Sequence, residues 1–378
     1  MEEADRSNFE NLDLVTYEYE LKKNIWKNLD EYQKCTVQWE KMQIMEIKID
    51  IMDEKIKKWK NLCIISTKDL DNSQVAKEFL EKVLIYEKIV HILSIIQNNN
   101  IQKVDYLKEL LKGALNLGNI DFNDNNFLME KIMNIPGIFE NMATFDELNR
   151  RANEEERIKI LYKENMDKFT SHHIPFKLKV DEKGISKYII QFEDFDTEQE
   201  FIESLLSVLN KEMLNPYVAV KQIELSKLIT NIYKYQYFLE IFLDYQIFML
   251  KTDTLLYNTE FSKEFPSEYK KLMGESLTKS LVKLLKDAMN LGKYIDYAHE
   301  RCISNLKTLI NNYEVNYKTV HLYLLRRRKE CQEYYLLNDD DLIALIELKD
   351  SYEIREHLLK KVFPFIKTIN PGKKMMKI

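Results

Sequence analysis

The chain has 378 residues, 45% of them hydrophobic and 31% charged, with only seven Gly and six Pro, a composition of long helices and few turns. Its 56 basic residues face 62 acidic ones, a net charge of −6, which argues against nucleic acid as the principal partner. No apolar run reaches the about 18 residues of a membrane span, and the polar, acidic start MEEADRSNFE reads as no signal peptide.

In chain order, residues 1–19 are expected to form a disordered lead. From Tyr17 onward Leu21, Ile25, Leu29 and Tyr32 share one stripe of an amphipathic helix. Trp26, Trp39 and Trp59 are the only tryptophans and read as buried aromatics of a helical bundle. Val75 to Ile96 is a further helical run, ended by the cluster Asn98, Asn99 and Asn100. Residues 118–142 are richer in Gly, Asn and Pro (Gly118, Asn123, Asn125, Asn126, Pro136, Gly137) and mark a break. Ala152 to Phe169 reads as a charged helix, with Glu154, Glu155 and Glu156 on a solvated face.

The one β signal follows. Phe176, Leu178 and Val180 alternate, Asp181 to Gly184 supplies turn residues, and Tyr188, Ile190 and Phe192 alternate again. Two strands are marginal alone, so this hairpin must pack on helices. Asn215 and Pro216 then predict a helix start, with Pro at the first helical position. Leu225, Ile232, Leu239 and Gln246 form one seven-residue series; Leu228, Tyr235, Phe242 and Met249 form a second. A helix over 217–254 would be about 38 residues and roughly 57 Å long. Both a coiled-coil dimer and an internal bundle seam fit these series, and the added stripe of Ile229, Leu243 and Leu250 favours the internal bundle.

Residues 267–291 read as the next helix, ended by Asn290, Leu291 and Gly292. A long helix then carries Cys302, Leu306, Leu309, Tyr313, Val320 and Leu324, and closes on the basic run Arg326 to Lys329. That run suits the negative end of the helix dipole at a solvated face. Tyr334, Tyr335, Leu336 and Leu337 form an apolar bend. Asn338 or Asp339 caps the helix of Leu342, Ile343, Leu345 and Ile346, with carboxylates Asp339, Asp340 and Asp341 in its first turn.

Motifs that carry chemistry are missing. Gly372-Lys373 is followed by Lys374 and preceded at position 367 by Lys, so no P-loop exists. No G-x-S-x-G elbow, H-E-x-x-H helix or EF-hand loop occurs. Cys35, Cys63, Cys302 and Cys331 lack zinc or redox spacing and are expected as free, mostly buried thiols. His172 and His173 read as a surface loop and not a metal site, because adjacent side chains of an extended chain point apart. Asp339 to Asp341 lacks the alternating ligands of a calcium loop and is read as capping.

Several of these stretches resemble the linker region of the dynein heavy chain, the second N-terminal region preceding its AAA+ ring. Cys331 to Ile346 is similar to the family pattern Phe-Pro-Arg-Phe-Tyr-Phe-Leu-Ser-Asn-Asp-Glu-Leu-Leu-Glu-Ile-Leu, with Tyr334, Tyr335, Asp340 and Asp341 in matching places. Ile354 to Val362 keeps His357 and Leu358 of the following Val-Gln-Pro-His-Leu block. Met213, Pro216 and Tyr217 resemble the Ser-Met-x-x-Ser-x-Tyr-Val region, and Phe242, Gln246 and Met249 fall where the family has Trp, Gln and Trp. Phe265, Pro266 and Glu268 match its Gln-Leu-Pro-x-Glu block, while Trp26, Trp39 and Trp59 resemble the linker's opening. Asp105, Tyr106 and Leu107 stand where the family has Arg-His-Trp, a departure.

The resemblance implies a mainly α fold, an elongated array of helical bundles with one small β-hairpin. Its parts are a lead (1–19), an N-terminal helical part (20–170), a hairpin insert (171–200), a long-helix part (201–348) and a terminal helix with tail (349–378). It implies a mechanical, non-catalytic element that couples nucleotide-driven changes of the AAA+ ring to movement along microtubules. Partners would be the AAA+ ring and tail in cis and other dynein subunits, with microtubules engaged only indirectly, and neither nucleic acid nor membrane. No cofactor belongs to this chain; ATP and Mg belong to the family's AAA+ modules. The expected place is the cytoskeleton of the cytoplasm or an axoneme. A freestanding α-helical scaffold or adaptor, spectrin-like or coiled-coil, is the alternative, and would need neither the hairpin nor Phe265 to Glu268.

Overall fold

The structure, a computed structural model, describes residues 2–70, 73–102, 128–180, 186–256, 259–273, 275–347 and 352–365. It is mainly α, with a single two-stranded antiparallel hairpin among the described residues. The chain divides into two compact units, Met1–Lys159 and Ile160–Ile378.

The first unit contains α1 (Glu2–Glu40), α2 (Ile49–Asp69), α3 (Gln74–Ile96), α4 (Met129–Met133) and the first half of α5 (Met142–Ser171). Helix α1 begins at Glu2, so the expected lead is helical here. Leu12, Leu14, Val15, Tyr17 and Tyr19 are exposed, so this part of the helix carries no buried stripe in its sequence. From Leu21 onward the stripe of Leu21, Ile25 and Tyr32 is buried against α2, which presents Met52, Ile56, Trp59 and Cys63. Helix α3 is capped by Ser73, whose hydroxyl accepts the Ala76 N–H. At its far end Gln97 donates to the carbonyls of Ile44 (2.6 Å) and Ile47 (3.0 Å), fixing the short turn between α1 and α2. Gly137, with φ of +74°, makes the turn that its place in the expected break requires.

The second unit holds the rest of α5, the strands β1 (Lys177–Val180) and β2 (Ser186–Ile189), and α6 (Phe192–Met213). There follow α7 (Gln222–Leu256), α8 (Thr259–Glu264), α9 (Pro266–Met273), α10 (Glu275–Asp287), α11 (His299–Glu330), α12 (Asp339–Glu347) and α13 (Tyr352–Val362). Helix α7 is the centre: α6, α11 and α12 all pack on it, and α9 and α10 pack on α11. Strand register pairs Lys177 with Ile189, Leu178 with Tyr188, Lys179 with Lys187 and Val180 with Ser186.

The long helix starts at Gln222, five residues after the expected Tyr217. Asn215 uses its side chain to accept the Tyr217 N–H at 3.0 Å, an Asx turn, and a 3₁₀ turn over Val218–Val220 intervenes. Both seven-residue series of α7 are buried within this one chain. The face is widened by Phe238, Ile241 and Tyr245, whereas Ile229, Leu243 and Leu250 are only half-buried. Of the helix expected over 267–291, the described residues show α9 to Met273 and α10 from Glu275 to Asp287. Asn290 does not end them but caps a new turn, accepting the Gly292 N–H at 3.1 Å. Expectations for Asp105 to Leu107, Gly118 to Asn126, the turn Asp181 to Gly184 and the tail from residue 366 lie outside the described residues.

Candidate functional site

One side chain ties the hairpin to the central helix of the second unit. Gln246, on the buried face of α7, accepts the Ile190 N–H through Oε1 at 2.8 Å and donates Nε2 to the Ile190 carbonyl at 2.7 Å. Ile190 directly follows β2, so the amide continues the strand's hydrogen bonding where the ladder stops. Both groups are out of water, and leaving either unpaired costs about 1–3 kcal/mol. Phe176, just before β1, packs edge-on against Phe242 and Phe238, at 5.5 and 6.2 Å, and at a tilt against Tyr188 at 5.5 Å.

A second tie joins the end of α5 to α6 and α7. His172 Nε2 lies 2.9 Å from Glu198 Oε2 and 3.0 Å from Oε1, and its ring stacks on Phe201 at 4.0 Å. The Tyr235 hydroxyl donates to Glu198 Oε2 at 2.6 Å. Burial, and then the Glu198 charge, push the Tyr235 phenol well above its ordinary value, so it stays a donor. The same segment is held by backbone bonds: Leu291 N–H to the His172 carbonyl (2.8 Å) and Ile174 N–H to the Met289 carbonyl (3.0 Å). Gly292 suits this close approach, because a Cβ there would come within 3.1 Å of the Thr170 carbonyl oxygen. His172 is therefore docked on α6 rather than in a surface loop, while His173 is exposed as expected.

The third tie closes the bend after α11. Arg328 is buried and donates to the Leu337 carbonyl (2.9 Å) and the Tyr334 carbonyl (3.4 Å), while its Nη1 meets Asp339 Oδ1 at 2.7 Å. The bend Gln332–Leu336 thus folds back on the guanidinium that precedes it. Burial works against ionisation of Asp339, but Arg328 and His321 outweigh it and hold the carboxyl below its ordinary value. This corrects the reading of Arg326 to Lys329 as a solvated run: Arg328 is internal because three acceptors converge on it. Arg326 reaches Glu264 at 3.3 Å. Asn338 is the cap of α12, accepting the Asp341 N–H at 2.7 Å. Asp341 meets Lys361 of α13 at 2.9 Å.

The remaining expected residues are scattered. Trp59 is fully buried, edge-to-face with Tyr32 at 5.4 Å and beside a half-buried Trp39 at 5.9 Å. Trp26 is 60% exposed, on the side of α1 opposite its buried stripe, so the expectation of three buried tryptophans fails there. Phe242, Gln246 and Met249 form one buried face; Met213 and Tyr217 are half-buried and Pro216 exposed. Phe265 precedes α9, Pro266 is its first residue and Glu268 lies in its first turn, and Phe265 meets Phe261 at a tilt and Tyr323 edge-on. Tyr334 is buried and Tyr335 exposed, Asp340 lies in α12, and His357 is exposed on α13.

Glu155 is also buried, paired with Arg151 at 2.9 Å, so the Glu154 to Glu156 face is not wholly solvated. Cys63 and Cys302 are buried and all four cysteines are free. Burial raises the Cys63 thiol to about 11 and the Cys302 thiol to about 12, which leaves both unreactive at neutral pH.

Glu198, Tyr235, His172 and Arg328 escaped the sequence reading as a group. One signal existed: Glu198 shares the helical stripe of Ile202, Leu205 and Leu209, and a carboxylate in such a stripe needs partners. Chemically the arrangement holds segments together, and its titratable groups bind one another. Among the described residues no group of three His, Cys, Asp or Glu is arranged to hold a metal ion, and no helix is long and apolar enough to cross a membrane.

Comparison with protein families matches residues 12–378 to the model described as dynein heavy chain, N-terminal region 2. Comparison with curated proteins gives no match. That region is a part of the heavy chain distinct from its AAA+ modules. The match spans nearly the whole sequence, and with the helical architecture and single hairpin it settles the kinship: this chain belongs to the dynein heavy chain N-terminal region 2 family.

Proposed function

We propose that this chain is the linker element of a dynein heavy chain, passing nucleotide-driven changes of the AAA+ ring to the tail and so to movement along microtubules. Family membership makes it a heavy-chain part that associates with other parts of the dynein complex at the cytoskeleton. The observation that carries the mechanical reading is the Gln246 bridge to Ile190. A force-bearing element needs its irregular segments fixed to its long helices, and here the fixing groups are buried and directional. In this reading the chain is itself non-catalytic and holds no nucleotide. ATP and Mg belong to AAA+ modules, which are its partners in cis, and microtubules are reached indirectly.

The test uses the complete heavy chain carrying these residues. Gln246→Ala should slow microtubule gliding several-fold while the basal ATPase rate is kept, because force transmission and hydrolysis are then separable. Equal loss of both, or unchanged gliding by a folded variant with a loosened hairpin, would overturn the reading.

A further inference from the structure

The hairpin is asymmetric. Strand β2 is turned inward, with Lys187 and Tyr188 buried and Ser186 and Ile189 half-buried, and α10 packs on it. All four residues of β1 are exposed, Leu178 to 54% and Val180 to 57%. Among the described residues β1 has one bonded neighbour, β2, so its other edge is open. In an antiparallel strand alternate residues direct both N–H and C=O to the same side. The open edge therefore offers a row of unused donors and acceptors.

The charged side chains of β1 are both lysines, Lys177 and Lys179. Lys177 and Lys179 lie on one face, and Lys179 sits directly opposite Lys187 in the register. Like charges so placed repel across the pair. Lys177 is bonded to Gln191 and to Asp194 (3.0 Å), while Lys179 has no ion-pair partner among the described residues. The other face carries the exposed Leu178 and Val180. In the registers that set like faces together, a second copy of this strand would bring lysine against lysine, so those pairings are disfavoured. A strand with carboxylates on one face and apolar side chains on the other meets both faces.

We propose that the open edge of β1 receives an extended acidic segment of a protein partner as a third strand. Its carboxylates lie over Lys179 and the lysine face, and its apolar side chains beside Leu178 and Val180. Main-chain hydrogen bonds along the edge supply the affinity, and the alternation of acidic and apolar residues supplies the selectivity. This goes beyond the linker reading, since it concerns a partner and not the transmission of motion.

The probe is a fluorescein-labelled eight-residue peptide of alternating Glu and Val, titrated with the full chain and followed by fluorescence anisotropy. Saturable binding that weakens with salt is expected, and Lys179→Glu, at an exposed position, should weaken it about tenfold or more. A Lys–Val peptide should not bind. A Glu–Val peptide interrupted by prolines should not bind either, because it cannot form the ladder. No saturable binding to the wild-type chain overturns the proposal. So does equal binding of the proline-interrupted peptide, which would reduce the effect to charge alone, or an unchanged affinity for Lys179→Glu. Sedimentation showing a dimer that Lys179→Glu strengthens would assign the edge to a second copy, and would also overturn it.

Discussion

The two units are held together in different ways. In the first, Tyr32 meets Trp59, Phe79 and Tyr86 edge-on at 5.3–5.5 Å, and the core around them is largely apolar, with the Gln97 amide on the Ile44 and Ile47 carbonyls as its polar tie. In the second, an equally apolar spine is crossed by buried polar ties: Gln246 to Ile190, Glu198 to His172 and Tyr235, and Arg328 to the bend and Asp339. Apolar packing is non-directional and tolerates small slides, whereas a buried hydrogen bond fixes one register and penalises all others. The difference follows from what each unit must hold. The first aligns helices and fixes one short turn through Gln97; the second fixes a hairpin and two bends that have little apolar surface of their own.

The sharpest way to break the comparison is at the spine. Phe242→Pro removes a buried ring and a mid-helix hydrogen bond together, about 3–5 kcal/mol for the ring and about 3 kcal/mol or more for the proline, and should prevent stable folding by circular dichroism. Trp59→Ala and Phe242→Ala should each cost about 3–5 kcal/mol in urea denaturation, one in each unit. Because the series of α7 are buried inside one chain, the melting temperature of the wild-type protein and of Phe242→Ala should not move over a hundredfold range of concentration. A rise with concentration would mark a coiled-coil partner instead.

Smaller effects separate the ties. Gly292→Ala should cost about 1–3 kcal/mol, since the added methyl presses on the backbone of Thr170. Asp339→Asn should cost about 1–2 kcal/mol at neutral pH, as it weakens a charge-assisted bond to a buried guanidinium. The sign with pH follows from the depressed carboxyl. Its contribution is complete above the ordinary aspartate value of 3.8 and is lost as pH falls through the lower folded value. The difference between wild type and Asp339→Asn should therefore shrink below about pH 4, as read from denaturation at a series of pH values.

Periodicity made the spine legible. The repeats through Leu225 and Leu228 placed every buried residue of the two series, and the alternation on either side of Asp181 to Gly184 located the hairpin, though β2 is Ser186–Ile189 and Phe192, expected in the strand, opens α6. What the sequence did not disclose depends on tertiary partners. Asn215 and Pro216 carry the residue types of a helix start, but the Asn215 side chain served the nearer Tyr217 N–H and delayed the helix. Arg328 looks like its neighbours Arg326 and Arg327 until the returning bend delivers the Leu337 carbonyl and Asp339 to it. Trp26 sits among helical residues like Trp59, yet only the position of α2 decides which ring is covered. Of the candidate site, Gln246 and Phe242 were visible through the resemblance; Glu198 and His172 were not, because their pairing spans two elements.

Amide hydrogen exchange on wild type and Gln246→Ala, across the whole chain, tests the central contrast most directly. Directional fixing predicts that exchange at Ile190 and over β2 accelerates by about tenfold or more, while the amides of α2 and α3 keep their wild-type rates. Unchanged exchange at Ile190 would contradict the account, and so would a uniform acceleration of both units, which would make Gln246 one more core residue and not a tie.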